Sequence, residues 1–282
     1  MIDDRFKRNP NRFIDHTNLK PISDKNDIEK LCEEAIRFRF RSVCVNPYWV
    51  KFCKDRILDH DDLSDSFIDD DDDDDDDGRI RICTVVGFPL GSNSSSVKAF
   101  EIQQALKDGA TEIDLVINIG LLFTVLNKQL NVDEGVGLGS MDEFETDFLE
   151  SIEPIVRYRS TSVDDGEVKQ RLILKVIIET SQLTNSQIGL VSRFLSGVKH
   201  VDFIKTSTGF NGRGASLDDI ELISKNSTRP KFNPSDKPLR TQIKASGGIK
   251  SYEDSLNFIR AGVTRLGTSS GVRIMDEWEK TR

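Results

Sequence analysis

A lysine inside an apolar strand is the first feature of this sequence that could do chemistry. In the run Leu172-Ile-Leu-Lys-Val-Ile-Ile-Glu179, Lys175 stands mid-strand, on the same face as Ile173, Ile177 and Glu179 by the period-two geometry of extended chain. An ammonium buried there must be paired or give up its proton. A lysine that gives it up becomes a nucleophile, because only the neutral amine attacks a carbonyl. An unperturbed lysine titrates near ~10.4, so roughly one in two thousand is neutral at pH 7, and the surroundings must lower that value.

Two other strands carry matching groups. Val201-Asp-Phe-Ile-Lys-Thr-Ser-Thr-Gly209 places Lys205 at its carboxyl end, and Glu112-Ile-Asp-Leu-Val-Ile-Asn-Ile119 puts Asp114, Val116 and Asn118 on one face. If these are strands five, six and four of a barrel, Asp114, Lys175 and Lys205 converge in its upper part. Lys205, as an ammonium, is then expected to lower the pKa of Lys175 by like-charge repulsion, while Asp114 relays protons. Each lysine alone could be a strand-end residue whose stem is buried and whose head reaches water, and Asp114 a turn residue. An acid and two lysines on consecutive strands favour a site, because perturbed ionisable groups cluster at sites.

A second constellation lies near the end of the chain. Ala245-Ser-Gly-Gly248 and Gly267-Thr-Ser-Ser-Gly271 each follow a predicted strand, and the second opens a helix. Glycines let backbone approach a ligand, and Ser269 and Ser270 offer hydroxyls and amides to an anion at a helix N-terminus. In α/β barrels these loops hold phosphate. Gly209, with Gly212 and Gly214, adds donors after strand six. In Ile14-Asp-His-Thr-Asn-Leu-Lys-Pro21, Asp15 and Thr17 reach the pocket, or Asp15 or Asn18 caps a turn, and Cys44 closes strand two or serves as a small core residue. His16, His60 and His200 are dispersed and the cysteines lack CxxC spacing, so neither a metal site nor redox chemistry is expected from them.

The elements that must position these groups alternate. Strand runs are Arg12 to Leu19, Arg41 to Asn46, Arg79 to Gly87, Glu112 to Ile119, Arg171 to Thr180, His200 to Thr206, Thr241 to Ala245 and Thr264 to Gly267. Helical periodicity occupies Asp24 to Phe38, Ser95 to Lys107, Met141 to Arg157, Asn185 to Leu195, Leu217 to Ser224 and Tyr252 to Ala261. Caps are expected at Ser23 or Asp24, at Thr184 or Asn185, and at Gly262. Continuous apolar strands in regular βα order predict a parallel α/β sheet closed as a (β/α)8 TIM barrel, one domain over residues 1–282; an open doubly wound sheet is the alternative. Segments Val132 to Ser140, Ser160 to Val168 and Asn226 to Pro238 are read as surface insertions.

The acidic run Asp69 to Asp77, inside a polar stretch at about 59–78, is read as a disordered, solvated loop. The formal charge of -9 is close to zero without it, so the acidity says little about partners. Lysine and arginine are scattered, so no nucleic-acid face is expected. No run spans a membrane, no secretory leader is visible, and the cysteines read as reduced thiols, which makes the cytoplasm the expected location. A homo-oligomer is the default, with a dimer the commonest form.

Eight segments, in order along the chain, resemble deoxyribose-phosphate aldolase: IDHTNLKP, SVCVNPYWV, TVVGFPLG, ATEIDLVINIG, LKVIIET, FIKTSTGF, KASGGI and RLGTSSGV. The resemblance implies a (β/α)8 fold and a class I aldolase that reversibly cleaves 2-deoxy-D-ribose 5-phosphate to D-glyceraldehyde 3-phosphate and acetaldehyde, without metal or organic cofactor. It implies that Lys175 forms the imine, Lys205 tunes it, Asp114 handles protons, and Gly247, Gly248, Gly267, Ser269 and Ser270 contact phosphate. Asp15, Thr17, Cys44, Thr180, Thr208 and Gly209 complete the expected substrate contacts. The chain departs from some members in ending Glu279-Lys-Thr-Arg282 rather than in a tyrosine tail that assists proton transfer, and in its acidic insertion. The competing readings are a Schiff-base barrel aldolase for another sugar phosphate, and an inactive barrel whose acidic run holds cations or basic partners.

Overall fold

The computed structural model describes residues 2–58, 78–130, 141–161, 172–227 and 241–282. The acidic run Asp69 to Asp77 and the predicted insertion Val132 to Ser140 lie outside that set, as do the other two predicted insertions apart from their first two residues. Ser160 instead continues a helix and Asn226 ends one.

Eight parallel strands close into a barrel in sequence order: β1 Ile14–Asn18, β2 Ser42–Val45, β3 Arg81–Val86, β4 Glu112–Val116, β5 Ile173–Ile177, β6 Phe203–Lys205, β7 Gln242–Ser246 and β8 Arg265–Thr268. The barrel bears out the predicted fold class, and β1 pairing with β8 rules out the open sheet. Strands are shorter than their apolar runs because the chain leaves the ladder early to build the upper loops. β6 is cut to three residues, although the Asp202 carboxylate still accepts from the Leu174 amide at 2.8 Å and extends the β5–β6 contact.

The helices are α1 Ile2–Arg8, α2 Lys25–Phe38, α3 Val50–Leu58, α4 Ser95–Asp108, α5 Ile119–Leu130, α6 Met141–Thr161, α7 Asn185–Gly197, α8 Leu217–Asn226, α9 Tyr252–Arg260 and α10 Gly271–Glu279. In α2 one face, Ile28, Leu31, Cys32 and Ala35, is buried, and Asp24 caps the first turn reciprocally with Asp27. Thr184 and Gln187 do the same for α7, and Gly262, at φ +105°, follows α9 in the left-handed region that favours glycine. The main apolar core lies between strands and helices, from Ile14, Val43 and Val86 around to Leu174, Ile204 and Leu266. Side chains of the opposite strand face fill the barrel, where the charges gather.

Candidate active site

Strand register brings the charged groups together. Asp114 is opposite Lys175 across β4–β5, and Ile177, two residues after Lys175, is opposite Lys205. Lys205, Lys244 and Arg265 are then side by side across β6, β7 and β8. Because side chains alternate, all of these share the interior face, as do Asp15 on β1 and Glu112 on β4.

Asp114 is the hub. Its Oδ1 accepts from Lys175 Nζ at 2.9 Å and from the Cys83 thiol at 3.2 Å, and its Oδ2 accepts from Lys205 Nζ at 2.6 Å and Lys244 Nζ at 2.8 Å. Lys175 also meets Glu112 at 2.5 Å and Asp15 at 3.7 Å, and donates to Cys83 Sγ at 3.3 Å. Arg265 closes the network on Asp15 at 2.7 Å and Glu112 at 3.2 Å, and Ser42 donates to Asp15 at 2.7 Å.

The electrostatics follow from burial and partners. Desolvation alone would push the Asp114 carboxyl up, but the ammonium groups of Lys175, Lys205 and Lys244 outweigh it and hold Asp114 well below the usual carboxylate range. Asp15 is likewise driven down by Arg265, Lys244 and Lys175 against the desolvation cost, and Glu112 by Arg265 and Lys175. Lys175 corrects the expectation of a lowered pKa. Burial favours its neutral amine, yet Asp114, Glu112 and Asp15 hold it as an ammonium well above the ordinary lysine value. The like charge of Lys205 does not decide the resting state, because a carboxylate lies between the two lysines.

Above this network opens a cavity of about 460 Å³, with Lys205 at its floor. Thr17, Thr208, Gly209, Gly247, Gly248, Gly267, Ser269 and Ser270 all line it, as the sequence anticipates. The Glu179 carboxylate fixes the Thr208 loop by accepting from the Thr208 amide and hydroxyl. Gly247, at φ +84°, packs its backbone against Gly214, where a side chain on either residue would collide. Ser269 and Ser270 precede the first turn of α10, so that helix N-terminus faces the cavity rim.

Five of the anticipated residues sit away from the cavity lining. Lys175 and Asp114 are completely buried beneath it, and so is Asp15, held among Ser42, Lys244 and Arg265. Cys44, opposite Cys83 in the β2–β3 register, is also buried; its hydrogen bond with Cys83 draws its thiol pKa down against the desolvation cost. Thr180 is not brought to the site. The positive φ of Glu179 turns the chain into a 3-10 turn, and the Thr180 hydroxyl donates to Asp219 at 2.9 Å instead.

Three charged residues of the network escape the sequence reading. Glu112 carries a signal, standing two residues before Asp114 on the same strand face. Lys244 and Arg265 carry a weaker one, each a single cation in a short strand run beside a glycine-rich turn. Among the described residues, two trios could offer donors to a metal: Cys44, Cys83 and Asp114, and Asp15, Cys83 and Glu112. The ammonium of Lys175 touches every member of the second trio and two of the first, so these donors already have a cation.

No protein-family model matches the chain. Among curated proteins it is 41% identical over 266 residues to a deoxyribose-phosphate aldolase of Caldicellulosiruptor saccharolyticus, covering 94% of this chain and 96% of that one. The chain belongs to the deoxyribose-phosphate aldolase family. A second family member, from Streptococcus gordonii, is 39% identical over 265 residues and is covered to 94% on both sides. A solved structure of a candidate deoxyribose-phosphate aldolase from Coccidioides immitis superposes with a TM-score of 0.69 at 31% identity, covering 96% of this chain and 86% of that one. The tetrameric deoxyribose phosphate aldolase of Aeropyrum pernix gives 0.68 at 24% identity over 100% and 94% of the two chains, a likeness that speaks for the fold alone. As an aldolase of this family the protein is a carbon–carbon lyase. Among the described residues no helix is long and apolar enough to cross a membrane.

Proposed function

We propose that the protein is a class I aldolase that reversibly cleaves 2-deoxy-D-ribose 5-phosphate to D-glyceraldehyde 3-phosphate and acetaldehyde through a Schiff base on Lys175. The observation that carries this reading is the pair of lysines on one carboxylate: Lys175 on Asp114 Oδ1 and Lys205 on Oδ2, with Lys205 facing the cavity.

The chemistry runs from that pair. Lys175 loses a proton, relayed by way of its carboxylate neighbours to the cavity, as the substrate aldehyde arrives, and its nitrogen adds to the carbonyl carbon. Loss of water, with protons moved by Asp114 and Lys205, leaves a protonated imine. The bond between substrate carbons 2 and 3 then breaks. Its electron pair flows into the imine to make an enamine, while the carbon 3 hydroxyl gives up its proton and becomes the aldehyde of glyceraldehyde 3-phosphate. Protonation of the enamine and hydrolysis release acetaldehyde and restore Lys175. The phosphate is held by the Gly247–Gly248 turn and by Ser269 and Ser270 at the N-terminus of α10, where backbone amides and the helix dipole favour an anion.

No metal or organic cofactor has a step in this scheme. The four buried, free cysteines suit a reducing compartment and with it the cytoplasm, and assembly into a homo-oligomer belongs to the same reading. The test is a cleavage assay with 2-deoxyribose 5-phosphate that detects acetaldehyde. Acetaldehyde released in proportion to enzyme is the expected result; a purified, folded protein that releases none overturns the reading.

A further inference from the structure

Lys244 has no part in the scheme above, yet it is among the largest fully buried side chains of the molecule. Its Nζ is 2.5 Å from Asp15 Oδ2 and 2.8 Å from Asp114 Oδ2. The backbone makes room for it: a Cβ on Gly267 of the neighbouring strand would come within 2.9 Å of Lys244 Cε. An ammonium set this deep has to be compensated, and a side chain held in place this closely has a defined position.

The partners of Lys175 explain what such a cation can do. Lys175 touches three carboxylates, and each has another cation. Asp114 has Lys205 and Lys244, Asp15 has Lys244 and Arg265, and Glu112 has Arg265. When Lys175 loses its proton, none of the three is left as an unpaired buried charge. Lys244 is the cation that spans Asp15 and Asp114, whereas Arg265 spans Asp15 and Glu112 and Lys205 reaches Asp114 alone. Its Nζ and that of Lys175 both contact Asp15 Oδ2, at 2.5 and 3.7 Å, so the nitrogens are no further apart than the sum of those legs.

We propose that Lys244 is a positioning residue of the reaction, the fixed cation that keeps Asp15 and Asp114 paired while Lys175 leaves them as a neutral amine. This deepens the Schiff-base reading and rests on it. The charge state of Lys244 suits the role: burial favours its neutral form, but Asp114 and Asp15 hold it as an ammonium, while Lys175 opposes this by like-charge repulsion. That repulsion is mutual, so Lys244 also makes the Lys175 proton easier to remove.

The groups that face Lys175 are Asp15 from β1, Cys83 from β3, Glu112 and Asp114 from β4, and across Asp114 Lys205 from β6 and Lys244 from β7. Cys44 of β2 bonds to Cys83, and Arg265 of β8 and Arg81 of β3 act on Glu112. Of these, the test changes Lys244 and, as a comparison, Lys205. Borohydride trapping of acetaldehyde on Lys175 is measured against pH in the parent, Lys244→Met, Lys244→Arg and Lys205→Met proteins, with the adduct located by peptide mass.

In Lys244→Met the half-maximal pH for trapping should rise by about one to two units, because Lys175 becomes the more necessary cation. Lys244→Arg should stay closer to the parent. Lys205→Met, which removes a cation from Asp114 alone, should shift the midpoint less than Lys244→Met. A folded Lys244→Met protein with the parent midpoint and only a slower rate overturns the proposal. If that variant does not fold, Lys205→Met still decides: a shift of more than a unit there assigns the role to Lys205 and overturns it. A parent that releases acetaldehyde without any Lys175 adduct overturns the Schiff-base reading instead, and this inference with it.

Discussion

At the floor of the cavity seven charged side chains, Asp15, Glu112, Asp114, Lys175, Lys205, Lys244 and Arg265, are at most 4% exposed, and each touches an opposite charge. At the rim Lys20, Asp27, Lys30 and Lys250 line the same cavity but are open to solvent. The residue types match; the dielectric around them does not. A pair at the rim is worth about 0–1 kcal/mol and fades with salt. At the floor, removing one partner of a buried pair costs about 3–5 kcal/mol where the other is left uncompensated. The floor therefore sets protonation and chemistry, and the rim sets how an anion is collected and held.

The sharpest way to break that comparison is Lys175→Met. Cleavage should drop to the uncatalysed background while the fold survives, because Asp15, Glu112 and Asp114 each keep another cation. Cleavage rate and a thermal melt on the same sample check both halves. Asp15→Asn should do the reverse to stability. It leaves Glu112 and Asp114 against the four buried cations Lys175, Lys205, Lys244 and Arg265 and takes an acceptor from Ser42, so it should cost about 3–5 kcal/mol in denaturant unfolding at neutral pH. The folded carboxyl of Asp15 lies below its ordinary value of 3.8, so its contribution is present above that value and lost as pH falls through the folded one. The gap between parent and variant should accordingly narrow in acid; a gap that is constant down to acid unfolding would remove the electrostatic explanation.

Smaller effects belong to the rim. Replacing Ser269 and Ser270 together by Ala should raise KM for the phosphorylated sugar about tenfold or more, since a hydrogen bond to a charged group is worth roughly 1.5–3 kcal/mol. KM for 2-deoxyribose itself should barely move, and equal losses for both substrates would take the phosphate away from that loop. Lys250→Ala should change KM least, by about fivefold at low salt and not measurably at high salt. A salt-independent loss there would mean that Lys250 behaves like a floor residue.

Much of the floor was legible because charges inside apolar strand runs are conspicuous, which is how Asp114, Lys175 and Lys205 stand out. Their consequence was harder to read. Sequence spacing predicts that Lys205 faces Lys175, but not that Asp114 comes between them or that Asp15 and Glu112 arrive from β1 and β4 to hold Lys175 as an ammonium. Lys244 lies in a run of only five residues with Thr241 and Gln242, so its burial depends on barrel closure rather than on local pattern. Thr180, expected at the site through the resemblance, is turned away by the left-handed backbone of Glu179, which sends its hydroxyl to Asp219. Among helices, α5 was hidden in the continuous apolar stretch after β4, where periodicity cannot separate strand from helix. The rim loops were legible because their glycines and serines have one shared use at the carboxyl end of a barrel.

Which nitrogen carries the substrate is the centre of this account, and one measurement addresses it. The protein is incubated with acetaldehyde, reduced with borohydride and digested, and the modified lysine is found by peptide mass. The account predicts a single ethyl group on Lys175, with Lys205 and Lys244 unmodified. An ethyl group on either of those lysines instead, or no adduct in protein that still cleaves 2-deoxyribose 5-phosphate, would contradict it.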